Sequence, residues 1–465
     1  MARILYRKTH SENLIPRGIR LSQTRFLARS IGALLCCLLA ASTLLGQSTT
    51  AAPTRLWDGT IQSRAGEVNF GIDIQKQPNG TLKATLGNAS DSQPFSSAEW
   101  NENDGTLTLR MDYYDGVMTL HLIAPSASET ASTNEVNKRL QADLSRRLEG
   151  EYSRLTSKGV VHIPVTMRPA MGWGHAGTPP SLAGDWIFTW PQEKGAEKTT
   201  RATFQQDGGW GITGTIEPVS GDTGLLHGFV SWVAPGKAHF HLSRFDGIHV
   251  LAIDGELLPD GSLKGQQGGI KSLEDFTAVR ATDAKTADPN ALAETLTHVK
   301  DPQEPFRFSG IDASGKTLNQ DSPEFKGKPL IVDIFGTWCP NCHDEAPVLE
   351  KLYQKYHNEG LEIVGLGYEY IDDTQRNLRQ FAIYREKFGI TFPLLLAGTT
   401  DEGQIAKTLP QLVGFGAFPT SIFIDRNGHV RQILAGFTGP STGEKYQEVQ
   451  QRMDELAREI VGSSK

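Results

Sequence analysis

Between Leu56 and Arg280 apolar and polar residues alternate in short runs with a period of two, the spacing of half-buried strands. Such runs are Val68–Ile74, Thr81–Leu86, Thr106–Met111 and Val117–Ile123, then Trp186–Trp190, Trp210–Ile216, Gly228–Val233, Ala238–Leu242 and His249–Ile253. Pairs such as Asn79-Gly80, Asp104-Gly105, Asp115-Gly116, Asp207-Gly208, Asp246-Gly247 and Asp260-Gly261 separate them and favour tight hairpin turns. A helical period surfaces only near Asn134–Arg147. The pattern predicts an all-β region, an antiparallel barrel or sandwich. Trp100, Leu107–Leu109 and Tyr114-Asp115-Gly116 are echoed about 130 residues later by Trp232, Phe240–Leu242 and Phe245-Asp246-Gly247. That echo divides the region into halves at 53–180 and 181–282, readable as a repeat.

After Phe306 the pattern changes. Residues 283–304 are rich in Ala, Thr, Asp, Lys and Pro and read as a linker, with Asn290–Val299 able to form a short helix. Phe306–Phe308 and Ile311–Leu318 read as an edge hairpin. Leu330–Phe335 is continuously apolar but for Asp333, as in a strand buried on both faces. A helix follows from Cys339 to His357, with Val348, Leu349, Leu352 and Tyr356 on one stripe. Leu361–Leu366 and Phe392–Leu396 read as strands around a helix at Thr374–Phe388. Ser421–Ile424 and Val430–Leu434 form a hairpin through Asp425–Gly428, and a last helix spans Gly443–Val461. Strand, helix, strand, then hairpin and helix is an α/β sheet with a parallel crossover, so the chain is multi-domain, with an α/β domain at 305–465.

Charge and cysteine content narrow the chemistry. Arg3, Arg7, Lys8, Arg17, Arg20, Arg25 and Arg29 precede an apolar run, Ile31–Leu45, and then small residues. This order marks residues 1–52 as an export signal or an N-terminal anchor. Seven of the 46 basic and one of the 53 acidic residues lie there, so the remainder carries a formal charge of −13. Such a chain has no general attraction for nucleic acid or anionic lipid, and membrane contact is expected only through that anchor. Of four cysteines, Cys36 and Cys37 fall within the apolar run. The other two, Cys339 and Cys342, are the only pair of the mature chain.

A strand running into Trp338-Cys339-Pro340-Asn341-Cys342 at a helix start describes a thiol–disulfide exchange site. Unpaired N–H groups and the helix dipole stabilise a thiolate at Cys339, exposed at the helix start, and Pro340 has no N–H to waste there. Asp333 has only apolar neighbours, which favours burial, a raised pKa and an acid–base role over a solvent-facing place at the strand end. Rival readings share these residues. Cys339-Pro-Asn-Cys342-His343 also satisfies the attachment pattern of c-type haem, with His343 as axial ligand. The strand context opposes this, and His343 then reads as an exposed helix residue. A peroxiredoxin-type peroxidase would need its Thr three residues before the cysteine; Thr337 is two before. His227, His239, His241 and His249 read as β-core and surface residues, with a metal site as the alternative. No structural metal pattern accompanies the cysteines.

Taken jointly, these motifs resemble the thioredoxin fold, and among its members the TlpA/ResA-like exported family, over about Phe306–Lys465. The carriers are Trp338–Cys342, Pro347 inside the following helix, Phe418-Pro419-Thr420 before the strand Ser421–Asp425, the turn Asp425–Gly428, and Asp333 six residues before Cys339. Pro-Asn between the cysteines departs from the commoner Gly-Pro. The resemblance implies a thiol-disulfide oxidoreductase, a reductase rather than an oxidase, whose redox group is the Cys339–Cys342 disulfide, with no other cofactor. It implies a cis-proline turn at Phe418-Pro419, which with Trp338 would meet the substrate, and an acidic residue near the dithiol at Glu369. Implied partners are proteins carrying disulfides or thiols and a membrane or periplasmic reductant, met in the periplasm or cell envelope. A cell-envelope binding protein whose β region does the work is the non-enzymatic alternative.

Overall fold

The computed structural model describes residues 51–124, 144–170, 178–191, 198–206, 208–218, 223–283, 297–401 and 403–462. The predicted signal or anchor, Cys36, Cys37, most of the helical stretch near Asn134 and most of the linker lie outside the described residues.

Nine antiparallel strands between Leu56 and Pro169 form one sheet in the chain order 4-3-2-1-9-8-7-6-5. Its inward positions, among them Trp57, Ile61, Phe70, Leu107, Leu109, Met118 and Tyr152, make one core. Eight further strands, Gly184–Trp190 to Leu273–Arg280, close into a barrel, because the first pairs with the last with Trp186 opposite Arg280. Closure leaves no free edge. Large aromatics, Trp186, Phe188, Trp190, Phe204, Phe240 and Phe276, fill the barrel. The strand Lys198–Gln205 escaped the pattern reading, because only Thr200, Ala202 and Phe204 of its eight residues turn inward and the rest are polar or charged. The echoed segments are the meanders Ser97–Ile123 in the open sheet and Leu226–Leu257 in the barrel.

The open sheet and the barrel are bolted together by polar groups around an aromatic contact. Phe70 meets Phe245 at 4.7 Å between ring centroids. His241 Nε2 lies 2.6 Å from Glu67 O and His227 Nε2 3.0 Å from Asn69 O, while Tyr152 Oη donates to Gly247 O at 2.7 Å. Asp254 takes His239 and the other nitrogen of His241, and His249 lies against Asp246. The four histidines are therefore spent on carbonyls and carboxylates.

The C-terminal region supplies β1 (Ser309–Ile311), β2 (Thr317–Asn319), β3 (Leu330–Phe335), α1 (Pro340–Tyr356), β4 (Glu362–Glu369), α2 (Thr374–Phe388), β5 (Leu394–Thr399), α3 (Gln404–Thr408), β6 (Thr420–Ile424), β7 (Val430–Ala435) and α4 (Glu444–Gly462). The sheet order is β2-β1-β5-β4-β3-β6-β7. β3 lies at its heart, parallel to β4 and antiparallel to β6, with all six residues buried. Val332 and Ile334 join the core that includes Leu366 and Ile422. Ile331 and Phe335 face the other way, onto Leu349, Tyr384 and Leu456 of α1, α2 and α4. This is the order expected of the thioredoxin fold.

From Ala51 onward the described residues form one compact unit, in which the β region and the α/β domain touch directly. Thr223 of the barrel region accepts from Gly439 N at 2.9 Å, Lys445 of α4 pairs with Glu217, and the turn Asp112–Tyr114 of the open sheet sits on α1 and α2. A linker's composition reports its own stiffness, not the surfaces at its two ends.

Candidate active site

Cys339 is the N-cap of α1, in extended backbone (φ −97°, ψ 115°), and Pro340 opens the helix. The thiol thus sits at the helix end where unpaired N–H groups gather. Cys342 lies one turn inside. Both cysteines are free thiols, and both are buried, at 6% and 1% exposure. The expectation of an exposed Cys339 is corrected here. Its Sγ donates to Phe418 O at 3.6 Å, across from the Phe418–Pro419 peptide, which is cis. Trp338 stacks on Tyr370 at 4.7 Å, meets the edge of Phe418 at 5.1 Å, and donates from Nε1 to Tyr368 O. Trp338 and Phe418 are only partly buried, so this aromatic rim is the accessible border of the dithiol.

Beneath the helix lies a carboxyl pair. Asp333, on the α1 side of β3, is 5% exposed, and Glu345 of α1 faces it. In the sheet Asp333 lies opposite Ser421 of β6, whose hydroxyl donates to Glu345 Oε1 at 2.9 Å. Asp333 Oδ1 and Glu345 Oε2 find no donor elsewhere, so the contact between the two acids calls for a shared proton. Burial, and then the Glu345 carboxyl, push Asp333 well above the usual carboxylate range. Burial carries Glu345 to about 7 against the bonds from Ser421 and Asp333. Burial and the neighbouring Cys339 sulfur likewise push the Cys342 thiol well up. Glu345 was not among the residues singled out from sequence. Its signal was there: Glu345, Leu349, Leu352 and Tyr356 share one helical face, so an acid occupies the buried stripe.

Glu369, at the end of β4, is fully buried on the other side of the loop. Its Oε1 accepts from Thr337 N at 2.9 Å and Thr337 Oγ1 at 2.8 Å, and its Oε2 from Arg376 Nη1 at 3.3 Å. Burial raises it to about 7 while the Thr337 bonds pull it down. It therefore anchors the residue two positions before Cys339.

His343, read as an exposed helix residue, is 6% exposed, and that expectation is corrected. Its Nε2 lies 2.7 Å from Thr337 O and its Nδ1 3.3 Å from Lys387 Nζ. Tyr114 of the open sheet stacks on the imidazole at 4.7 Å, and the Lys387 ammonium sits 3.3 Å over the Tyr113 ring. Burial, then Lys387, hold His343 well below its ordinary pKa, and burial lowers Lys387 to about 7. The lid comes from a turn more than two hundred residues upstream, where no local pattern announces it.

The Redoxin family matches residues 298–449. The thiol-disulfide oxidoreductase ResA of Geobacillus thermodenitrificans is 32% identical over 113 residues, 24% of this chain and 58% of its own length, so this chain spans less than two thirds of that relative. ResA of Bacillus thuringiensis subsp. konkukian is 32% identical over 139 residues, 30% of this chain and 72% of the relative. A thiol:disulfide interchange protein of Chlorobium tepidum, of solved structure, is 25% identical, covering 35% of this chain and 99% of its own, with a TM-score of 0.27. With a thioredoxin-like sheet, a Cys-x-x-Cys capping α1 and a relative matched over most of its length, the chain belongs, through its C-terminal domain, to the ResA-type thiol-disulfide oxidoreductase family.

Proposed function

We propose that the chain is an exported thiol–disulfide reductase acting on protein disulfides in the cell envelope. One observation carries the reading: a dithiol caps a helix above a buried carboxyl pair and is bordered by a partly exposed aromatic rim. Cys339 attacks a substrate disulfide and forms a mixed disulfide, releasing one substrate thiol. Cys342 then gives up its proton and attacks the Cys339 sulfur, closing the Cys339–Cys342 disulfide and releasing the second thiol. The Asp333–Glu345 pair lies where that proton can be taken, since Asp333 bears on the Cys342 thiol. Export rests on the basic-then-apolar start of the chain, and a membrane or periplasmic donor would return the electrons. Covalent haem is opposed by His343, whose two nitrogens already face Thr337 O and Lys387 beneath a Tyr114 lid.

The test is a trap in the full mature chain. Cys342→Ser should accumulate mixed disulfides with protein clients through Cys339, removable by dithiothreitol, and Cys339→Ser should accumulate none. Trapping by Cys339→Ser alone would reverse the two roles, and trapping by neither would remove the exchange reading.

A further inference from the structure

The turn that joins the open-sheet strands Thr106–Met111 and Gly116–Ile123 ends on Asp115, in left-handed backbone (φ 48°, ψ 35°). Glycine adopts that region freely, whereas a side chain is disfavoured there, so what the carboxylate does needs a reason. Both its oxygens reach out of the β region. Oδ1 accepts from Gln380 Nε2 at 2.7 Å, and Oδ2 pairs with Arg376. Arg376 and Gln380 are four residues apart on α2 and share a face, so one carboxylate clamps two successive turns. Arg376 reaches on to Glu369, and Glu369 grips Thr337. A continuous polar chain, Asp115 to Arg376 to Glu369 to Thr337, thus joins the β region to the loop that carries Cys339.

We infer that Asp115 is a positioning residue for the dithiol: by holding Arg376 it sets the charge state of Glu369 and with it the grip on the Thr337–Cys339 loop, so the β region completes the redox site. This rests on the oxidoreductase reading for its consequence, not for its geometry. Around Glu369 the charged and titratable groups are Arg376, then Arg379 beside it on α2, Tyr370 next along the chain with Arg154 of the open sheet bonded to it, and Asp115 across the interface. Asp115 offsets part of the Arg376 charge. Without that carboxylate, Arg376 acts on Glu369 alone, and Glu369 ionises at lower pH. Without Arg376, burial acts unopposed by a cation, and Glu369 ionises at higher pH. Two neighbours in one chain thus have opposite signs, which a mere strut would not produce.

The experiment follows the side-chain carboxyl of Glu369 by ¹³C NMR in the full mature chain, its signal assigned by loss in Glu369→Gln. Asp115→Asn should lower the midpoint and Arg376→Gln should raise it, each by about one pH unit, a tenfold change in the ionised-to-protonated ratio. Insulin reduction at pH 7 should change several-fold in both variants, and neither substitution should matter further in a Glu369→Gln background. Midpoints that stay put, or move in the same direction, overturn the inference whatever happens to thermal stability. If Asp115→Asn fails to fold, Arg376→Gln decides alone: its midpoint must rise, and an unmoved one overturns the inference. A wild-type chain that titrates as described yet cannot reduce insulin would sink the oxidoreductase reading and leave the linkage standing.

Discussion

Two buried carboxyl sites flank the same dithiol loop, and they are furnished differently. Asp333 and Glu345 draw on β3, α1 and β6 of one domain, and their partners are each other and one hydroxyl. Glu369 has a guanidinium, a hydroxyl and a backbone N–H, and through Arg376 it reaches the β region. Burial brings Glu345 and Glu369 alike to about 7. What stands beside each decides its use. Acids with no cation must hold a proton, which suits exchange with Cys342; an acid with a cation and two loop donors can hold charge and fix the loop.

Breaking the proton-holding site should do the greater damage. Asp333→Asn should slow resolution of a preformed Cys339 mixed disulfide by about a hundredfold or more while leaving its formation near normal, because only the second step passes a proton from Cys342. Quenched-flow timing of the two steps checks this, and an unslowed second step would place the proton acceptor elsewhere.

The pH dependence of stability sharpens the contrast. The Glu345 carboxyl ionises near 4.5 when unfolded and about 7 when folded. Between those values the native state binds more protons than the unfolded chain, so this group's contribution to stability is lost as pH rises through the window. Relative to wild type, Glu345→Gln should therefore gain on the order of 2 kcal/mol on going from pH 5 to pH 8, read by urea unfolding. Glu369→Gln should gain a similar amount over that range, since its carboxyl is raised to about 7 as well, but it strands the Arg376 charge and should be the less stable variant at every pH. Equal stability of the two variants throughout the range would erase the distinction between the sites.

The lid comes last in expected effect. Tyr114→Ala removes the ring stacked on His343 and should cost about 2 kcal/mol of stability, with a several-fold effect on activity. Thermal melts read against insulin turnover separate the two. A variant as stable as wild type would mean the β region is not held to α1 through this ring.

How much of this was legible depended on distance along the chain. Leu330–Phe335 and Thr374–Phe388 stand where the apolar pattern put them, because burial on one or two faces writes a period into the residues themselves. Glu345 was legible but unread, as an acid on the apolar stripe of α1. His343 looked exposed because its cover, Tyr113 and Tyr114, belongs to a distant turn, and Cys339 because the Phe418 carbonyl that its sulfur meets lies 79 residues on. Asp115 read as half of a hairpin Asp-Gly pair, and its partner Arg376 lies 261 residues on. Local propensity accounts for the turn and says nothing of what the carboxylate reaches.

The central claim is that the buried Cys339–Cys342 pair works as a reductant, and its midpoint potential tests that most directly. Equilibration of the mature chain against dithiothreitol redox buffers, with the thiol state read by alkylation, should give a value near that of thioredoxin, about −270 mV. A value near −120 mV, typical of an oxidase with a stabilised thiolate, would contradict the account.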